Sequence, residues 1–207
     1  MATDVSYQKP ALLQSTQNGG QFILTGGETG YSQGSNTIYA NSFVQLTSGY
    51  LASAITTSTG AVQSGSGFVA CGFVRDGTPS DTELDPPYIM NLSSAGKGLH
   101  WPVRLEGVRF SIWVTDASFH IGAADGAPLL SEVSIGTSYG LIVGGSSTPS
   151  SGAHLGDFAL DVDNTTNVAV KVVDIPLKWK GVDQSSVSTV SNGIVIVEFV
   201  PSKIQQV

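Results

Sequence analysis

Three acids stand within five residues in the stretch "SDTELDPP": Asp81, Glu83 and Asp85. Oxygen clusters of this kind bind hard cations. The loop lacks the glycine and the distal glutamate of a calcium hand, so it reads more simply as a solvated acidic loop. Glu83 and Asp85 as a carboxylate pair for sugar hydrolysis would be an arrangement too common on loops to support that chemistry. A second group, "DVDNTT", sets Asp161, Asp163 and Asn164 together. Asp161 and Asp163 share a face if a strand continues through them, and a strand end or turn is the simpler reading. The histidines, His100, His120 and His154, pair neither with one another nor with a cysteine at a metal-ligand spacing. Polar or hydrogen-bonded roles are expected for each. Cys71, the single cysteine, lies in the apolar run "GFVACGFV" and reads as an inert core thiol. A reactive thiol needs cations beside it, and Arg75 is the nearest in sequence. No G-x-S-x-G elbow is present, and Gly65-Ser66-Gly67 is not followed by the Lys-Ser/Thr of a phosphate loop. Asn91-Leu92-Ser93 and Asn164-Thr165-Thr166 fit the glycosylation pattern. No nucleophile and base can be assembled from these parts. The expectation is a protein that is not an enzyme and takes no cofactor or metal.

The aromatic residues point to contact rather than reaction. Trp113 lies on the polar side of a strand-like stretch, where an exposed ring suits a sugar platform or a subunit interface. A second layer covering it is the alternative. Trp101 sits beside His100 in a loop, and Trp179 lies between Lys178 and Lys180, packed most simply under two solvated lysines.

Composition narrows the classes further. The chain has 207 residues, one large domain or one domain with an appendage. Charged residues make up 12%, about half the usual ~25%, and hydrophobic residues 41%, which is not the balance of a disordered chain. Net charge is −7 and the nine Lys and Arg are scattered. Gripping nucleic acid or an anionic membrane takes clustered cations, so neither partner is expected. The first twenty residues show no basic start followed by an apolar core, and no segment approaches the ~20 apolar residues of a membrane helix. Manufacture in a cytoplasm is therefore expected. Yet the surface chemistry, poor in Lys and rich in Ser, Thr and Gly, resembles that of proteins working outside cells. A virion component satisfies both.

These groups must be positioned mainly by strands. Residues 1–35 are polar and Gly-rich and read as an extended N-terminal arm, broken by "QFILTGG". Residues 36–207 read as one all-β domain with a long insertion at about 77–102. In "VRFSIWVT", Val108, Phe110, Ile112 and Val114 alternate with Arg109, Ser111, Trp113 and Thr115, which places one face in a core and one outside. "NVAVKVVDI" repeats the pattern with Val168, Val170 and Val172. "GIVIVEFV" is β-branched throughout and reads as a strand covered on both sides. "SGFVACGFV" and "SYGLIVGG" add two more. "NSFVQLTSGYLASA" reads as strand, tight turn, strand. "PALLQ", "GAPLLSEV" and "DQSSVSTV" are the candidates for short helices or turns. The expected architecture is an antiparallel β-barrel or sandwich with long loops.

In the order of these features the chain resembles the phage head decoration, or capsid cement, proteins. A Gly-rich arm is followed by the "NSFVQLTSGYLASA" pair, then "GSGFVACGFV", "VRFSIWVT", "IGTSYGLIV", "DNTTNVAVKVVDI" and a final valine-rich strand. The resemblance spans most of residues 20–200. It implies a β-tulip-like barrel or sandwich that assembles as a homotrimer on the outside of a capsid. It also implies an arm reaching across neighbouring copies of the major capsid protein, and it brings no catalytic residue. The side chains expected to make partner contact are Tyr7, Leu12, Leu13, Phe22, Ile23 and Leu24 of the arm, with Trp101 and Trp113. The competing readings are a carbohydrate-binding or host-adhesion module using Trp101, Trp113 and Tyr88, and a tail-tube subunit.

Overall fold

The computed structural model describes residues 11–12, 31–32, 38–56, 59–74, 99–100, 102–120, 126–146, 156–176 and 193–206. Among these residues there are thirteen strands and no α-helix. The strands are β1 (Ala11–Leu12), β2 (Tyr31–Ser32), β3 (Ser42–Thr47), β4 (Tyr50–Ser53), β5 (Val62–Gln63), β6 (Gly72–Val74) and β7 (Leu99–His100). They continue with β8 (Val103–Arg104), β9 (Arg109–Thr115), β10 (Ser138–Val143), β11 (Phe158–Asp161), β12 (Val170–Asp174) and β13 (Ile194–Phe199). The protein is all-β, as expected.

Five strands close on themselves. The order β9-β11-β10-β12-β13 returns to β9 through the β9–β13 pairing. Closure gives every strand of the ring a ring partner on both sides. All its pairings are antiparallel except β9–β11, which is parallel in register Leu160↔Val114 and Asp161↔Thr115. That parallel pair departs from a purely antiparallel expectation. Two ring strands each share an edge between two partners. β9 gives its first half to β1 (Ala11↔Ser111, Leu12↔Phe110) and its second half to β11. β10 gives one end to β12 and the other to β5. A register shift between Val172 and Asp174 bends β12 against β13.

The alternation in β9 falls as expected on its inner face, with Phe110, Ile112 and Val114 all in the main core. Its outer face does not. Ser111, Trp113 and Thr115 are buried too, Trp113 to 1% exposure. Period two identifies which residues share a face. It does not say whether a further layer covers that face. Arg109 alone on that side stays partly exposed, paired with Glu198 directly across on β13 at 2.7 Å. In β13, Ile194 to Val197 are all buried, as a doubly covered strand requires.

The second sheet, β4-β3-β6-β8, opens on the β3–β4 hairpin. Its two-residue turn has Ser48 at φ 52° and Gly49 at φ 82°. Both are left-handed, the turn whose twist suits a two-residue hairpin. Phe43 and Phe73 carry this sheet onto the barrel core. The C-terminal end stitches the two together. Ala70 donates its N–H to the Lys203 carbonyl and accepts the Gln205 N–H at its own carbonyl. The Gln205 amide also accepts from the Leu46 N–H and donates to the Leu46 carbonyl, doing for β3 what a neighbouring strand would do.

Of the candidate short helices, "GAPLLSEV" forms a 3₁₀ turn at Leu130–Glu132. "PALLQ" instead supplies β1, and "DQSSVSTV" lies outside the described residues.

Candidate functional site

The densest group of ionisable and hydrogen-bonding side chains among the described residues lies where β9 and β11 end side by side. Thr115 is the last residue of one and Asp161 of the other, and they are partners in the parallel ladder. Each strand then runs into a tight turn, and the acids hold those turns.

After β9 the chain folds back over Asp116. Its Oδ1 accepts the N–H groups of Ser118 and His120, each at 3.0 Å, and its Oδ2 faces His120 Nδ1. Thr115 Oγ1 donates to the His120 carbonyl at 2.8 Å. Asp in such a position forms a local turn with its own following amides. Burial opposes ionisation of Asp116, but the His120 amide and imidazole and the Ser118 amide outweigh it and hold the carboxyl below its usual value. The turn carries Phe119 at φ +62°, a strained conformation for a bulky residue. Burial of its ring with Ile142 and Ala159 offsets that cost.

After β11, Asp161 ends the strand fully buried. Its Oδ1 accepts the Asp163 N–H at 3.0 Å and its Oδ2 accepts from Gln63 Nε2 on β5. Asp163 reaches back to the first turn, its Oδ2 accepting the Ala117 N–H at 3.2 Å. Asn164 points inward. Its Nδ2 donates to the Ser64 carbonyl at 3.0 Å and lies 3.3 Å from Ser64 Oγ, and its Oδ1 accepts the Asn167 N–H at 3.0 Å. Ser64 Oγ in turn donates to the Asn167 carbonyl and accepts the Leu141 N–H.

An aspartate that orients a histidine is half of a proton relay. Here the same carboxylate also organises two amides, and Thr115's hydroxyl is committed to the turn. Among the described residues no three His, Cys, Asp or Glu side chains are grouped so as to hold a metal ion. Asp161 and Asp163 lie at a strand end and its turn, the simpler of their two expected readings. Asn164 has its amide engaged on both atoms inside the fold, so its place in a glycosylation pattern carries no site. The arrangement binds loops to the barrel.

Gln63, Ser64 and Asp116 escaped the sequence reading. Gln63 meets Asp161 across 98 residues and Ser64 meets Asn164 across 100, separations that leave no local pattern. Asp116 had a signal, an Asp two residues before Ser118 and four before His120, which is the spacing of a side-chain-capped turn.

The partner-contact candidates fare differently. Leu12 lies in β1, its backbone paired with Phe110 of the chain's own barrel. Trp113 is corrected: at 1% exposure it is no platform for a sugar or a partner, because the outer side of β9 is covered. Tyr7, Leu13, Phe22, Ile23, Leu24 and Trp101 lie outside the described residues, as do Asp81, Glu83, Asp85, Trp179 and most of the 77–102 insertion. Of the 1–35 arm, Ala11–Leu12 joins β9 and Tyr31–Ser32 joins β7.

Cys71 is buried in the small cluster with Ile38, Val44, Leu51 and Val74. Burial pushes its thiol up to about 12, against weaker opposing hydrogen bonds from the Cys71 and Leu46 amides. A thiol held protonated is a poor nucleophile. A thiol-reactive dye is expected to leave native protein unlabelled at neutral pH and to label one site per chain in denaturant. Rapid native labelling would contradict this burial.

Compared with family models, curated proteins and solved structures, the chain matches none.

Proposed function

We propose that this chain is a virion structural protein that decorates and stabilises the outer surface of a phage capsid, acting as a homotrimer against the major capsid protein. The observation that carries the reading is how the polar groups at the β9/β11 ends are employed. Asp116, Asp161, Asp163, Asn164 and Ser64 each hold a turn or a strand in place. Such a site supports a rigid body that works by covering and clamping. The resemblance in feature order supports the same role. Many identical copies on one lattice multiply a modest contact. An arm wrapping a neighbour adds area toward the ~1,600 Å² of a standard interface.

The test is immunogold labelling of virus particles from a culture that produces the chain. Label spread evenly over heads supports the reading. Label along tails favours the tube subunit instead, and unlabelled particles overturn both. Deletion of residues 1–30 is expected to leave a folded barrel, since β1 pairs only with Phe110 and Ser111 and leaves the ring-closing β9–β11 and β9–β13 pairings in place, and to abolish head labelling. Full head occupancy by the truncated protein would remove the arm as anchor.

A further inference from the structure

We propose that residues 203–206 form a releasable strap, which turns on the Pro201–Lys203 segment and, when it lifts, opens the Leu46, Ala70 and Cys71 side of the small sheet while the five-stranded ring stays closed. This does not depend on the capsid reading. The strap continues a ladder that β6 begins. On the β6 side of β3 the pairing runs Ser42↔Val74, Phe43↔Phe73 and Val44↔Gly72, and goes on with the Cys71 N–H on the Val44 carbonyl. Leu46, two residues further, is met by Gln205. The Leu46 N–H donates to Gln205 Oε1 at 2.7 Å, and Gln205 Nε2 donates to the Leu46 carbonyl at 2.9 Å. Ala70 commits both its backbone groups to the strap. Its N–H donates to the Lys203 carbonyl at 2.9 Å and its carbonyl accepts the Gln205 N–H at 2.8 Å. Lys203 Nζ adds a bond to the Ser66 carbonyl at 3.0 Å.

Two features make the release local. The hinge holds without the strap's contacts. The Val200 N–H on the Ala169 carbonyl fixes the end of β13 to the ring, and the 3₁₀ turn closes on itself through the Lys203 N–H on Val200 and the Ile204 N–H on Pro201. Beyond it, Lys203, Ile204 and Gln205 are only partly buried and Gln206 is exposed, so water competes along the strap, as it does in segments that open before the rest. The second feature is what lifting leaves behind. Ala70 is fully buried and Cys71 is 2% exposed. A strap that left them in place would strand the Ala70 N–H and carbonyl inside the fold, which costs as much as the lost bonds. Residues 70 and 71 must therefore reach water with it. Leu46 is tied to the same movement, since its amide also hydrogen-bonds the Cys71 sulfur. Phe43 and Phe73 hold the other half of the sheet in the main core, and the opening stops there.

The test is Gln205→Ala in the full chain, read by labelling of Cys71 with a thiol-reactive dye and by amide hydrogen exchange. The substitution removes two bonds at Leu46 and none at Ala70, so Ala70 separates release of the strap from a loss confined to Leu46. Native labelling of Cys71 is expected to speed up, and protection at Ala70 and Leu46 to fall, on the order of tenfold or more. Protection at Val114 and Val172, whose amides are bonded within the ring end and wall, is expected to hold. In the unsubstituted chain, Ala70 and Leu46 are expected to exchange faster than Val114 and Val172 once intrinsic rates are removed. A fall at Leu46 alone, with Ala70 and Cys71 unchanged, would overturn the strap. An equal fall at Val114 and Val172 would do so too, since the whole molecule would then be loosening. Slower exchange at Ala70 than at the ring amides of the unsubstituted chain would overturn it without any variant.

Discussion

Phe43→Ala is expected to remove about 3–5 kcal/mol of folding stability, the range for truncating a fully buried Phe. In a domain of this length that corresponds to a fall in melting temperature of roughly 10 °C. Phe43 stands on β3 but belongs to both layers. Its ring lies 5.2 Å from Phe110 on β9, 5.2 Å from Phe158 on β11 and 4.8 Å from Phe199 on β13, all at edge-to-face angles. On its own sheet it meets Phe73 at 5.4 Å. Three barrel strands thus converge on one side chain, so its loss opens a cavity at the seam between the sheet and the ring. Edge-to-face pairs contribute about 0.5–1.5 kcal/mol beyond buried area. A Phe43/Phe158 double-mutant cycle is therefore expected to show coupling of that size. Tyr50→Ala, on the same hairpin but 48% exposed, is the control, expected to change stability by less than about 0.5 kcal/mol. Chemical denaturation of the two single variants and the double variant of the cycle, together with Tyr50→Ala, decides. A Phe43→Ala loss no larger than that of Tyr50→Ala would mean that the small sheet is not docked on the barrel through this ring.

The alternation of apolar residues was enough to identify the inner face of β9, and the residues Ser48-Gly49 were enough to identify the hairpin turn. Both are local signals, since period two and left-handed turn chemistry are written within a few residues. The burial of Trp113 was not legible, because the outer face of a strand is covered or bare according to what the rest of the chain does. The parallel β9–β11 pair was equally hidden. β10 lies between them in sequence, and neighbouring strands in a sheet are more often neighbours in the chain. "PALLQ" illustrates a third limit. Its leucines suit a helix as well as a strand, and the open half-edge of β9, set by tertiary structure, decides for strand. At the candidate site, the grouping of Asp161, Asp163 and Asn164 was visible as a turn. Its partners Gln63 and Ser64 were not, since about a hundred residues separate the two halves.

That divided polar group carries the second large effect. Asn164→Ala is expected to cost about 2–4 kcal/mol, because it strands buried groups rather than merely deleting a bond. The Ser64 carbonyl, in a buried residue, and the Asn167 N–H, in a partly buried one, lose their side-chain partner beside the Leu141–Ser64 pairing. Gly140 shows how tightly the amide is seated. A Cβ on Gly140 would overlap the Asn164 side chain, its nearest approaches being to Nδ2, Cγ and Cβ. Gly140→Ala must therefore displace Asn164 from its hydrogen bonds, and it is expected to reproduce much of the loss caused by removing them. The two changes act on one contact and should not add. In an Asn164→Gly background, where the three nearest atoms are gone, Gly140→Ala is expected to cost little. Denaturation midpoints of the single and double variants measure this directly. Full additivity would mean that Gly140 is small for some other reason. A near-zero effect of Asn164→Ala would mean that water replaces the amide, and that the loop after β11 is not held to residues 61–67 by this side chain.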